Sequence, residues 1–306
     1  VTTRYLVGAT GYLSQPYRPE IAGIDDFAAD VLHTSAWDDS YDLTGKRVAV
    51  IGTGATAVQL IPEVAKVAGE LTVYQRTAIY VTAKTDFAMP KSVQRIFARF
   101  PITQRAARAV STSLLEVLMV AGVLKYRQFR RINARASNLA MRNLGRHIKD
   151  PEMRKKLTPD YSFGCKRPTF SNTYFPTFNK PNVHLETTPI DHFEADGIVT
   201  TDGKKTTIDT LVLATGYNLW DVNFPAFEVI GREGRDLGKW WRENRFCAYE
   251  GVSVPLFPNF LNLASPYSYS GLSYFTTIEY QMSHIARVFG ELRRRGASTF
   301  EVTEAA

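Results

Sequence analysis

Apolar positions fall first into short continuous runs that stop at glycine. Leu43 to Gly52 contains the run Val-Ala-Val-Ile, which predicts a strand buried on both faces, as in a parallel sheet. A glycine loop and a helix over about 55–67 follow; Pro62 lies inside that helix, where it costs about 3 kcal/mol unless the turn is locally reshaped. Leu71 to Gln75 predicts the next strand and completes a strand–helix–strand unit of about 30 residues. Two further strands are nearly the same string: Arg4-Tyr-Leu-Val-Gly-Ala-Thr-Gly11 and Asp209-Thr-Leu-Val-Leu-Ala-Thr-Gly216. Each ends in Ala-Thr-Gly (Ala9, Thr10, Gly11; Ala214, Thr215, Gly216) and is followed by a tyrosine, which points to two equivalent crossing points in a fold with paired nucleotide sites.

The period changes over 102–149, which is proline-free with apolar residues at helical spacing, and which holds ten Lys and Arg against the single acid Glu116. Residues 151–173 read as loop. Strands are expected at 183–186 and 197–201, the second opening a hairpin with Asp202-Gly203 as its turn, and a helix over about 276–295.

Composition narrows the class. With 306 residues, 44% hydrophobic and 22% charged, the chain has room for one large α/β domain or two modest ones. The 37 basic residues exceed the 30 acids by 7, which favours anionic partners: a phosphorylated cofactor, nucleic acid or a membrane surface. The cysteines, Cys165 and Cys247, form no CxxC pair, which argues against a disulfide reductase and for a reducing, cytoplasmic compartment. The five histidines show no metal-ligand spacing, so no metal is expected. Tyr161 and Lys166 stand one residue too far apart for the Tyr-x-x-x-Lys of a short-chain dehydrogenase. The apolar run Leu114–Leu124, interrupted by Glu116, is shorter than the ~20 residues that cross a bilayer.

The sharpest motif is Gly52-Thr53-Gly54-Ala55-Thr56-Ala57, set between the buried strand and the helix. The first glycine allows the tight turn, the second lets the backbone approach a pyrophosphate, and the third position must be small for helix and strand to pack. A lone pattern of this kind also describes an ordinary tight turn; its strand–loop–helix setting separates the two. The pyrophosphate then sits on the helix N-terminus, with Gln59 one turn further on. An NAD site calls for an acid about 20 residues past the loop, whereas here the second strand ends in Gln75-Arg76-Thr77. A guanidinium suits a 2′-phosphate, so NADP(H) is expected, held by Arg76 and Thr77.

These residues resemble the Baeyer–Villiger and flavin-containing monooxygenases over nearly the whole chain. Phe27, His33 and Trp37 stand in register with that family's F-x-G-x-x-x-H-x-x-x-W fingerprint, with Ala29 in place of its glycine. Phe163-Gly-Cys-Lys166-Arg167-Pro168 matches the Lys-Arg pair that the family carries on a mobile loop between its nucleotide sites. By resemblance Lys166 joins Arg76 and Thr77 around the 2′-phosphate, and Arg167 is the catalytic cation that stabilises the anion formed at a flavin. The resemblance implies an α/β fold of Rossmann-like, two-dinucleotide-binding flavoprotein architecture, with the NADP domain inserted in an incomplete FAD domain. Expected segments are 1–40, a flavin-domain strand and linker; 41–208, the NADP domain with the basic helical insert 102–149; and 209–306, the C-terminal part of the FAD domain.

The implied cofactors are NADP(H) and FAD, and the implied reaction is oxygenation by O2 of a small apolar ketone, sulfide or amine. The family's first glycine fingerprint is expected N-terminal to Arg4, where three residues stand, so the chain as given is expected to hold FAD poorly. The competing expectation is a non-catalytic NADP-binding fragment. The insert 102–149 reads as a solvated helical flap or as a peripheral contact with an anionic membrane. Only Tyr126 and Phe129 stand among its basic residues, too few aromatics to suggest a nucleic-acid surface, so nucleic acid is not expected.

Overall fold

The computed structural model describes residues 1–84, 86–125, 127–218, 225, 227–266, 268 and 273–305. The chain forms two units, Arg18–Gly216 and the pair of outer segments Val1–Tyr17 with Tyr217–Ala306. It therefore passes from one unit to the other shortly after each Ala-Thr-Gly.

In chain order, β1 (Leu6–Gly8) and β2 (Asp30–His33) precede β3 (Arg47–Ile51), α1 (Ala55–Val67) and β4 (Glu70–Tyr74). After β5 (Val81–Thr82) come α2 (Lys91–Arg99), α3 (Pro101–Met119), a π turn over Val120–Leu124, α4 (Arg130–His147) and α5 (Pro151–Lys156). Then follow β6 (Thr169–Phe170), α6 (Tyr174–Thr177), β7 (Val183–Glu186), β8 (Ile190–Glu194), β9 (Gly197–Thr200), β10 (Lys205–Thr207) and β11 (Thr210–Leu213). The second outer segment holds α7 (Leu237–Glu243), β12 (Phe260–Asn262) and α8 (Tyr274–Arg295).

The inner unit is built on a parallel sheet of order β2-β11-β3-β4-β7. Its strands read as continuous apolar runs because both faces are covered. Val48, Val50, Leu71, Val73 and Val212 join α1 residues Val58, Ile61 and Val64 in one core. Their neighbours Ala49, Tyr74, Leu211 and Leu213 point the other way, into a second core with Ile198, Ile208 and Phe193. That second face is closed by the antiparallel sheet β10-β9-β8. The β9–β10 hairpin turns at Asp202-Gly203 as the sequence indicates, with Gly203 N–H donating to Thr200. Helix α1 runs through Pro62, whose ring is buried, so tertiary packing outweighs the lost backbone bond.

Three expectations change. Residues 18–40 and 209–216, grouped in sequence with the outer segments, belong to the inner unit, because β11 fills the gap between β2 and β3. Residues 151–173 are not all loop: the Asp150 carboxylate caps α5 by accepting from Glu152 N and Met153 N, and Pro151 takes the first helical position. Finally, the helical insert 102–149, whose apolar run was expected to be too short for a bilayer, is divided in two. It breaks at the π turn and reverses into α4. From Pro101 to Leu124 the first arm is nonetheless 24 residues, or about 36 Å, and is long and apolar enough to cross a membrane by length and composition. The run Leu114–Leu124 alone had fallen short of that.

Within the outer unit, β1 pairs with β12 in parallel. Helix α8 starts at Ser273, whose hydroxyl accepts from Thr276 N, and ends at Gly296 in the left-handed conformation.

Candidate functional site

Strand β3 delivers the chain to Gly52 at φ +118°, where a Cβ would lie 2.4 Å from the carbonyl oxygen of Ala214. Only glycine fits this close approach between the turn and the end of β11. Thr53 is buried, and its hydroxyl donates to the carbonyl of Thr77 at 3.0 Å. That bond ties the glycine turn to the end of β4. Gly54 precedes α1 in extended conformation with no side-chain cap, and the first turn of the helix carries no acid. The leading N–H groups are therefore open to an anion. Nothing lies within 4 Å of a Cβ built on Gly54, so the cradle is clear on that side. Ala57 is fully buried against the sheet, as its position in the motif demands. Ala55 and Thr56 are exposed, and the Gln59 amide donates back to Ala55 at 3.0 Å.

The end of β4 is held by Gln75. Its N–H donates to Glu186 at 2.8 Å and its buried side-chain amide to Lys156 at 2.7 Å. Arg76 is exposed and has no ion-pair partner among the described residues. The acid at the end of the neighbouring strand, Glu186, pairs with Lys204 at 3.2 Å. Glu186, partly buried, is drawn down to about 2, because Thr188 and the Lys204 ammonium outweigh the upward push of burial. Glu70 lies at the far end of β4 and pairs with His184.

Lys166 and Arg167 are exposed on a loop that closes on Tyr80, three residues past Thr77. The Tyr80 hydroxyl donates to Tyr161 at 2.8 Å, and its carbonyl accepts from Thr169 N at 2.9 Å. Beyond the loop, β6 pairs with β5. Asn133 of α4 donates to Phe163 at 2.8 Å, and the Lys166 ammonium stands 4.9 Å from the Tyr161 ring.

The second Ala-Thr-Gly lies against the glycine turn: Ala214 N–H donates to Ile51, and the Thr215 hydroxyl is 3.4 Å from His33 Nε2. Gly216 follows. The fingerprint residues flanking His33 point to the two cores: Phe27 packs on Phe193, and Trp37 against the α1 side. The first copy, Ala9, Thr10 and Gly11, belongs to the outer unit, just past the β1–β12 pair. Thus the inner unit brings together Gly52–Ala57, Gln59, Arg76, Thr77, Thr215 and Gly216, and Tyr80 links the Lys166–Arg167 loop to that end of the sheet. Sequence reading missed Thr53's bond to Thr77, His33's approach to Thr215, and both anchors of the loop. Among the described residues no three His, Cys, Asp or Glu side chains cluster as a metal site would require.

Residues 5–230 match the family model described as flavin-binding monooxygenase-like. A Baeyer–Villiger monooxygenase of Pseudomonas aeruginosa is 37% identical over 302 residues, covering 98% of this chain and 56% of that protein. Among solved structures, an oxidised steroid monooxygenase bound to NADP aligns with a TM-score of 0.82 at 33% identity, over 99% of this chain and 64% of that one. The enzyme OTEMO in complex with FAD and NADP aligns with a TM-score of 0.82 at 28% identity, over 100% of this chain and 64% of that one. The chain spans between half and two thirds of the length of these proteins. The Rossmann-type sheet, the glycine turn and these matches agree: the chain belongs to the flavin-binding monooxygenase-like family.

Proposed function

We propose that the protein is an NADPH- and FAD-dependent monooxygenase that transfers one oxygen atom of O2 to a small apolar ketone, acting in the cytoplasm. One observation carries the reading. The uncapped N-terminus of α1 and the Arg76 guanidinium, which has no ion-pair partner among the described residues, stand on neighbouring strand ends joined by the Thr53–Thr77 hydrogen bond. The N–H groups behind Gly54 bind a pyrophosphate, and the planar fork of Arg76 binds a 2′-phosphate, with Thr77 beside it and Lys166 adding a second positive charge. The end of β4 itself, Gln75-Arg76-Thr77, carries no acid for a bare ribose hydroxyl. In the outer unit the buried Asn262 Oδ1 and Ser253 Oγ have no hydrogen-bond partner among the described residues, which fits a polar cofactor such as FAD on that unit. When bound, FAD supplies oxygen activation and NADPH the electrons. Arg167 supplies a fixed positive charge where negative charge develops. The ketone is favoured by the names of the relatives; a sulfide or amine is an alternative outcome of the assay.

The test is NADPH consumption with a panel of cyclic ketones, sulfides and amines, on protein whose bound flavin is measured by absorbance. NADPH-dependent lactone or ester formation supports the reading. Flavin-loaded protein that consumes no NADPH refutes it, and preferential NADPH binding with no flavin retained leaves a dinucleotide-binding function alone. Replacing Arg76 by Ala should raise the KM for NADPH about 10- to 100-fold and that for NADH less than about threefold. Equal effects remove Arg76 from the phosphate.

A second reading concerns the helical insert. Ile102, Val110, Leu114 and Val117 share one face of α3 and are 58–72% exposed, and only 11% of the apolar stretch within Pro101–Leu124 is buried. Lys91, Arg95 and Arg99 line one side of α2, and Lys125 to Arg135 follows the π turn, with Glu116 the one acid from 91 to 135. An exposed apolar face with basic flanks fits the headgroup region of an anionic bilayer, where apolar substrates collect. Co-sedimentation with vesicles that rises with phosphatidylserine content and falls with salt supports it; indifference to both excludes it.

A further inference from the structure

The helical insert touches the loop that carries Lys166 and Arg167, and it does so through backbone carbonyls. Asn133 is half-buried on α4, and its side-chain nitrogen donates to Gly122 at 2.7 Å and to Phe163 at 2.8 Å. One amide group thus bridges the π turn and the root of the loop. The π turn shapes its side of the contact: Lys125 N–H donates to Val120, five residues back, and Ala121 and Gly122 are buried. A residue further on, Gly164 at φ +92° rests on Val123, whose methyl carbons would lie 2.9 and 3.0 Å from a Cβ there.

Tyr80 grips the same root from the sheet side. Its ring meets those of Tyr161 and Phe163 edge-on at 5.6 and 5.1 Å, and it holds Tyr161 and Thr169 by hydrogen bonds at either end of the loop. Between these anchors Cys165, Lys166 and Arg167 are exposed.

We infer that Asn133 and Tyr80 are positioning residues: they fasten the root of the loop and so determine where Lys166 and Arg167 stand relative to the nucleotide. The inference rests on the proposed role of those two cations. A loop ordered at its root loses less conformational freedom when its tip engages a phosphate, so the anchors favour binding without touching the ligand. Asn133→Asp is the informative change. It keeps the shape of the side chain but removes both donated hydrogens and sets a carboxylate against two carbonyl oxygens. Tyr80→Phe keeps the ring contacts and removes one hydroxyl.

Two measurements test this. In limited trypsinolysis of the chain, cleavage after Lys166 is followed by mass spectrometry against cleavage after Lys204 in the β9–β10 turn. The ratio should rise about tenfold in Asn133→Asp and about threefold in Tyr80→Phe. In flavin-loaded enzyme the same variants should raise the KM for NADPH about fivefold while its value for NADH stays within about twofold. An unchanged cleavage ratio in both variants overturns the anchoring, and a raised ratio with an unchanged KM for NADPH overturns its bearing on the cofactor. Arg76→Ala separates this inference from the site itself. If that change abolishes the preference for NADPH while Asn133→Asp does not alter it, the nucleotide site stands and the inference falls. If Arg76→Ala is silent, the nucleotide reading falls, and the cleavage ratio alone still decides whether the anchors hold the loop.

Discussion

Replacing Gly52 by alanine should destabilise the inner unit far more than the same change at Gly54, although both are glycines of one motif. At Gly52 the backbone stands at φ +118°, and a non-glycine residue in such a region costs about 1–3 kcal/mol. The new Cβ would also lie 2.4 Å from the oxygen and 2.9 Å from the carbon of the Ala214 carbonyl, both main-chain atoms. Ordinary contact begins at 3.4 Å, so turn and strand end must part by about 1 Å. That separation strains the Ala214-to-Ile51 hydrogen bond and the neighbouring β11–β3 pairing, at about 1 kcal/mol per bond weakened. The sum is about 3–5 kcal/mol, a large share of the roughly 5–15 kcal/mol by which domains are stable. At Gly54, by contrast, the backbone is extended at φ −69° and nothing lies within 4 Å, so the folding cost is about 0.5–1 kcal/mol. Its methyl group instead points into the cradle and should weaken NADPH binding at least about tenfold. Urea unfolding followed by tryptophan fluorescence measures the first effect and NADPH titration the second. A loss below about 1 kcal/mol for Gly52→Ala would show that the turn and β11 are not in contact, and the close approach argued above would be wrong.

Other consequences are testable on the same protein. In flavin-loaded enzyme Arg167→Ala should lower product formation about 100-fold or more while NADPH still reduces the flavin; unimpaired oxygenation removes Arg167 from catalysis. The Asp209 carboxylate, paired with the Arg47 guanidinium at 2.6 Å, is held down to about 2. Its contribution is therefore complete above the unfolded value near 4 and lost as pH falls through 2. The pair is partly exposed, so Arg47→Ala should lower stability modestly at pH 7, and the deficit should shrink as pH falls through 2 in urea titrations; a deficit that does not change with pH refutes the pairing. Asp150→Ala removes the cap of α5 and should cost about 0.5–2 kcal/mol in the same assay, with no change if the cap is only apparent.

Much of the inner unit was legible because its strands obey a simple rule. A run such as Val48-Ala-Val-Ile51 fills two cores at once, and no polar residue interrupts it. The glycine turn and Arg76 were legible for the same reason: the motif requires the strand before it and the helix after it, and both are present. The place of β11 was not. It lies in the sheet beside β3, 163 residues away by the Arg47–Thr210 spacing, and its sequence says only that it is buried on both faces. Which neighbours bury it is settled by packing between distant segments. The cap at Asp150-Pro151 is a different kind of miss. Acceptor and proline stand at the positions that start a helix, and the short, basic run behind them was read as loop because the six residues of α5 do not complete two turns.

The break in the helical insert shows why a favourable local pattern can still misstate a structure. Most local signals over 102–149 favour continuation, namely no proline, apolar residues at helical spacing and long side chains between them, with Gly122 and Gly145 the exceptions. What interrupts it is the demand of a partner. A Cβ on Gly122 would meet Ile132 of α4 at 3.4 Å, so the returning helix passes directly beside this residue. That approach puts Asn133, the next residue, within reach of the Gly122 carbonyl, and the same amide reaches Phe163. A continuous helix carries residues 122 and 133 about 16 Å apart along its axis and could not close this bridge. The turn at Val120–Leu124 is thus explained by what it brings together, and its cause lies in a loop forty residues downstream, outside any window in which helical periodicity is read.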